Sequence, residues 1–178
     1  MPTRRALLAA GGSAALAGCG FHPMYLPQNN GRASVASEEL AAVYVPIIPE
    51  RAGQLLRQAL QARIEGAGTG IAKKFELVAT LSVSVEGIAI QRDSSVTRYR
   101  FDGRGNWTLR MLDLAHTVLG AGTSRVLDGV NISNQQYFAY DLESQSAFKR
   151  VAEGLADQIV QQAGVLLKRR AEAAPAAT

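Results

Sequence analysis

Phe75, Leu77, Ala79, Leu81, Val83 and Val85 alternate with Glu76, Thr80, Ser82, Ser84 and Glu86. A period of two specifies a strand with one buried face, and only Val78 breaks the alternation. At Gly87 the phase flips, so that Ile88 and Ile90 continue on even numbers; one extra residue, a bulge, accounts for the change. Asp93-Ser94-Ser95 offers a turn. A second long strand follows, with Tyr99, Phe101, Trp107, Leu109 and Met111 on one parity. Arg98, Arg100, Asp102, Arg104, Asn106, Thr108 and Arg110 occupy the other. A turn near Leu114-Ala115-His116 leads to a third strand expected over Thr117 to Tyr140, interrupted by Gly120, Gly122 and Gly129.

Two helical segments frame this meander. Val43 to Ile48 is a short β-rich run in which Pro46 removes a ladder donor, placing it at an edge or a strand end. Pro49 and Glu50 then open a helix whose Ala52, Leu55, Leu56, Ala59 and Leu60 recur at helical spacing, and Gly66, Gly68 and Gly70 end it. From about Ser144 to Arg170 the residues Phe148, Val151, Ala152, Leu155, Ala156, Ile159, Val160, Ala163 and Leu167 form one apolar face. Lys168, Arg169 and Arg170 suit the C-terminal dipole of that helix. The order is β-α-β-β-β-α, an α+β fold: a four-stranded mixed sheet with two helices packed on one face. The opposite sheet face is then left uncovered and polar.

Composition narrows what that face can do. The chain has 47% hydrophobic and 19% charged residues, as an ordinary globular domain does, and a formal charge of +4. A modest excess of this kind does not argue for nucleic acid. Arg98, Arg100, Arg104 and Arg110 share one strand face, with Arg92 and Arg125 on neighbouring segments. Guanidinium groups bind phosphate or carboxylate in bidentate fashion, so the stripe suits an anionic amphiphile or an acidic protein wall. The alternative is a solvated face with cross-strand pairing to Glu76, Glu86 or Asp102. Arg98, Arg100, Arg104 and Arg125 are therefore candidates for anion binding by geometry alone. Catalysis finds no support: there is no nucleophile elbow, phosphate loop or paired metal-ligand motif, and His116 reads as a solvated turn residue. No cofactor or metal is expected. Gly103-Arg104-Gly105 reads as a strand irregularity.

The N-terminus carries a processing signal. Arg4-Arg5 precede an apolar stretch, Ala6 to Ala17, shorter than the ~20 residues that span a bilayer. It ends in Leu16-Ala17-Gly18-Cys19, where small residues fit a peptidase cleft and the only cysteine can accept a diacylglycerol group. Residues 1–18 are thus expected to be a lipoprotein signal peptide, exported by the general secretory route in preference to the twin-arginine one. Cys19 is the expected lipidation site, and more than one acyl chain gives lasting attachment to a membrane. Loss of the leader leaves seventeen basic residues against fifteen acidic. Residues 19–41 read as a lipidated, flexible tether containing Pro27, Asn29, Asn30 and Gly31. Residues 42–170 form the expected domain and 171–178 an alanine-rich disordered tail.

The string Cys19-Gly20-Phe21-His22-Pro23-Met24-Tyr25 resembles the start of the LPS-assembly lipoprotein LptE family, also called the rare-lipoprotein-B family. The strand order, the Arg98-Tyr99-Arg100-Phe101 strand, Gly122-Thr123-Ser124-Arg125, Tyr137-Phe138-Ala139 and a long final helix extend the resemblance over the mature chain. It implies a non-enzymatic outer-membrane role on the periplasmic side: a plug and assembly partner of the LptD β-barrel that binds lipopolysaccharide (LPS) during its delivery to the outer leaflet. Gly20 after the lipidated cysteine, by resemblance to other bacterial lipoproteins, implies the outer membrane. A second reading is an auxiliary lipoprotein of an ABC-type lipid transport system, which also places a small α/β domain on a tether.

Overall fold

A computed structural model of the chain describes residues 35–65, 70–90, 92, 96–131 and 137–173. The leader, Cys19, residues 20–34, the turn at 93–95 and residues 174–178 lie outside the described residues. The elements are α1 (Val35–Ala41), β1 (Val43–Tyr44), α2 (Glu50–Glu65), β2 (Phe75–Ile90), β3 (Val96–Met111), β4 (Val118–Asn131) and α3 (Tyr137–Ala173). The strands lie in the order β1-β2-β3-β4. β1 pairs in parallel with β2 through Val43 and Tyr44 only, and the remaining pairs are antiparallel. The mixed four-stranded sheet expected from the alternation is present, and the register shift next to Gly87 is the expected bulge.

The odd positions of β3 build the core. Phe101, Trp107 and Leu109 are buried against Val151, Leu155, Ile159 and Ala163 of α3. Gly103 and Gly105, placed between them, face the same helix. A Cβ at Gly103 would stand 2.1 Å from Val151 Cγ1, and one at Gly105 3.5 Å from Ile159 Cδ1. The two glycines are therefore not irregularities: β3 keeps continuous register there, and the missing side chains form a groove into which α3 settles. Two aromatic contacts fix α3 at its start, Tyr140 against Tyr99 at 4.8 Å and Phe148 edge-on to Phe101 at 5.4 Å. At its far end Arg170 lies 5.3 Å over the Phe75 ring. Arg63 of α2 also reaches Asp157 of α3 through two exposed bonds of 2.5 and 2.9 Å.

Several boundaries differ from the expectation. The third strand ends at Asn131, and Tyr137 to Tyr140 belong to α3 instead. The run is aromatic and β-prone by local preference, but docking of Tyr140 on Tyr99 overrides that preference. The last helix accordingly starts at Tyr137, ahead of Ser144, and continues to Ala173, past the position where the tail was expected to begin. At the other end, residues 35–41, expected within the tether, form α1, in which Leu40 and Ala41 are buried. Seven residues carry too little periodicity to announce a helix, and contact with α3, and to a lesser extent with α2, gives this one its packing partners. No described helix is long and apolar enough to cross a membrane.

Candidate functional site

Because α3 takes the odd face of β3, the even face is left to solvent. Register brings its neighbours into rows. Arg100 lies between Glu86 and Gly129, Asp102 between Ser84 and Leu127, Arg104 between Ser82 and Arg125, and Arg110 between Glu76 and Val118. Arg98, Arg100, Arg104 and Arg125 thus do share one surface, and Arg110 joins them. Arg92 is exposed in the β2–β3 turn. Sequence could not place Arg125, because the position of β4 depends on a register shift between Leu109 and Arg110 that no local signal announces.

Cross-strand pairing uses part of this charge. Arg100 reaches Glu86 at 2.5 Å and Arg110 reaches Glu76 at 2.7 Å. Asp102 is the centre of the face. Arg125 donates to it from Nε and Nη2, at 2.9 and 2.7 Å, and Arg104 adds a bond of 3.3 Å. The hydrogen bonds from Arg125 first, and then from Arg104, outweigh partial desolvation and hold the Asp102 carboxyl at about 2. The same contact raises the Arg125 guanidinium. The sequence alone offers Asp102 only as a cross-strand pairing partner. Its role as a carboxylate shared by two arginines on two strands needs the register to be seen.

Five guanidiniums (Arg98, Arg100, Arg104, Arg110, Arg125) and three carboxylates (Glu76, Glu86, Asp102) occupy the face among the described residues. Two positive charges are left over. One is Arg98, which has no carboxylate partner among the described residues; the other is divided between Arg104 and Arg125. The Arg100–Glu86 pair and the arginines on Asp102 are exposed and add little stability, whereas Glu76, paired with Arg110, is buried. What the arrangement provides is fixed, solvent-facing guanidinium forks that can exchange a carboxylate for a phosphate. His116, with φ of +47°, sits in the β3–β4 turn 4.0 Å from Glu76. The described residues contain no His, Asp and Glu cluster suited to a metal. A cavity of about 680 Å³ between α2 and α3 has an apolar floor of Leu55 and Phe148. Its rim carries Glu50 and Asp141 as well as Arg51 and Lys149, so it selects neither sign of ligand charge.

The sheet thus carries its helices on one side and a bare, cation-rich surface on the other. Residues 40–163, more than half of the chain, match the model of the LptE lipopolysaccharide-assembly family, and the chain belongs to that non-enzymatic family. Among solved structures it is similar to a chain from Caulobacter crescentus CB15, with TM-score 0.56 and 20% identity over 75% of this chain and 96% of the other. The rare lipoprotein B from Shewanella oneidensis gives a TM-score of 0.53 at 12% identity, covering 73% and 98% of the two chains. Lipoprotein B from Nitrosomonas europaea gives 0.51 at 15%, covering 71% and 83%. At these identities the likeness is one of fold. Comparison with curated proteins gives no match.

Proposed function

We propose that this protein is an outer-membrane lipoprotein, held on the periplasmic side through a lipidated Cys19, that plugs an LptD-type β-barrel, assists its assembly and binds LPS on the way to the outer leaflet. Residues 1–18 are then a leader that is removed, and the segment from Cys19 to the start of α1 is the tether. The family match supports the assembly role. The observation that carries the finer reading is the bare sheet face with its two surplus guanidinium charges. A plug in a hydrated lumen needs a hydrophilic surface on the side away from its core. Guanidinium forks on that surface match the phosphates of a lipid headgroup.

Solubilisation of membranes in mild detergent, followed by pull-down and mass spectrometry, tests the partnership: a large outer-membrane barrel is expected to co-purify. Recovery of the lipoprotein with an inner-membrane permease instead would replace this reading by the transporter one. For LPS, Arg98→Glu combined with Arg104→Glu is expected to weaken binding at least tenfold with an unchanged circular dichroism spectrum. These two are chosen because Arg98 has no carboxylate partner among the described residues and Arg104 holds only a shared one. Equal binding by the double variant would reduce the stripe to a solvated face.

A further inference from the structure

β4 is the last strand of the sheet, and its outer side has no strand partner among the described residues. In an antiparallel strand the backbone groups of alternate residues point away from the neighbour. Two side-chain bonds show which residues these are. Gln158 donates to the Arg125 carbonyl at 3.3 Å, and the Gly129 N–H donates to Asp128 Oδ1 at 2.8 Å. Ala121, Thr123, Arg125, Leu127 and Gly129 therefore face outward. The upper part of the edge is blunted by Gln158 and Asp128, whereas Ala121 and Thr123 have no such cap among the described residues. No Lys or Pro lies between Val118 and Asn131 to discourage pairing.

A cleft of about 420 Å³ opens at this uncapped stretch. It is lined by Trp107, Ala121, Gln161, Gln162, Val165 and Leu166. Gly122, between the two outward residues, has its helix side covered by the Trp107 ring, whose Cζ2 would stand 2.7 Å from a Cβ there, so the indole forms the inner wall of the cleft. We infer that the β4 edge at Ala121–Thr123 accepts an extended polypeptide segment as a fifth strand, whose side chain opposite Gly122 is bulky and apolar and enters the Trp107 cleft. An added strand gains main-chain bonds from the edge and specificity from such a pocket. A lipid acyl chain could fill the cleft but would make no use of the outward N–H and C=O groups of Ala121 and Thr123, whereas an extended polypeptide engages both the edge and the cleft. Neighbouring side chains of the incoming strand would lie beside Arg125 on the polar face, where acidic or hydroxyl residues fit. This inference goes beyond the barrel reading and holds whether or not a barrel is the partner.

Trp107 is the only tryptophan in the chain, so its emission reports on the cleft. The probe is a blocked seven-residue peptide of alternating threonine and glutamate with one central phenylalanine, leucine or isoleucine, added to the full chain in detergent. A saturable change in Trp107 emission is expected, weakened at least tenfold by N-methylation of the two peptide amides flanking the central residue. Thr123→Pro, which removes an outward N–H without touching the β3 ladder, is expected to weaken binding by a similar factor at unchanged unfolding midpoint. Val165→Arg, a change at a half-exposed position on the mouth of the cleft, gives a second variant should Thr123→Pro unfold. Absence of a saturable change at millimolar peptide for all three central residues overturns the proposal. So does binding indifferent to N-methylation, or matched by decanoate, either of which marks a lipid cleft only. None of these outcomes bears on the barrel pull-down.

Discussion

Gly103 decides how close α3 comes to the sheet, and its replacement by alanine gives a quantitative test of the packing. The new methyl would sit 2.1 Å from Val151 Cγ1, far inside contact distance. Val151 is fully buried on a helix, where a β-branched side chain has one strongly preferred rotamer, so it cannot swing aside. Overpacking of this kind costs about 1–3 kcal/mol. Relief of the glycine's entropy in the unfolded chain returns about 0.5–1 kcal/mol, for a net loss of about 1–2 kcal/mol. Val151→Ala alone deletes two methyl groups, about 1.6 kcal/mol at ~0.8 each, and with the cavity term about 2–3 kcal/mol. In the double variant the alanine methyl at 103 occupies part of the space that Val151 vacates. A total loss of about 1–2 kcal/mol is expected, against about 3–5 kcal/mol if the two changes simply added. Equilibrium urea unfolding, followed by Trp107 emission and far-UV circular dichroism, measures all four corners of the cycle. Additivity within about 0.5 kcal/mol would refute the close approach of strand and helix.

Two further predictions concern the charged groups. The Asp102 carboxyl, followed by NMR against pH, is expected to titrate at about 2. Its folded pKa lies below the unfolded one, so its contribution to stability is present above the ordinary carboxylate range near 4 and is lost as the pH falls toward 2. A midpoint near 4 would show that Arg125 and Arg104 do not hold it. Arg63 likewise keeps Asp157 below the usual carboxylate range, and this side chain is two-thirds exposed. Asp157→Asn is therefore expected to cost no more than about 1 kcal/mol at neutral pH, less in high salt, with the deficit vanishing in acid as native Asp157 protonates. A loss that does not change with pH would assign the effect to packing instead.

The alternation of Phe75 to Val85, the flip at Gly87 and the apolar stripe from Phe148 to Leu167 were sufficient to derive a mixed sheet with helices on one face, and from it the existence of a polar face carrying Arg98, Arg100 and Arg104. Periodicity determines these because a strand or helix must turn its apolar residues to one side wherever it lies. The processing signal proposed at Cys19 is likewise read from a local string of residues. Other features depend on segments distant in sequence. That α1 is a helix, that Tyr137 to Tyr140 open α3, and that Gly103 and Gly105 form a groove all follow from contact with α3 or β3. The meeting of Arg104 and Arg125 at a shared Asp102 rests on the register of β4, shifted at Leu109 by an irregularity without a sequence signature. The open edge at Ala121–Thr123 is decided the same way, since only the final strand order leaves those backbone groups facing outward beside the Trp107 cleft. Sequence by itself determined which face of each element is apolar; tertiary packing decided which elements those faces meet, and hence which charges and backbone groups remain free to bind.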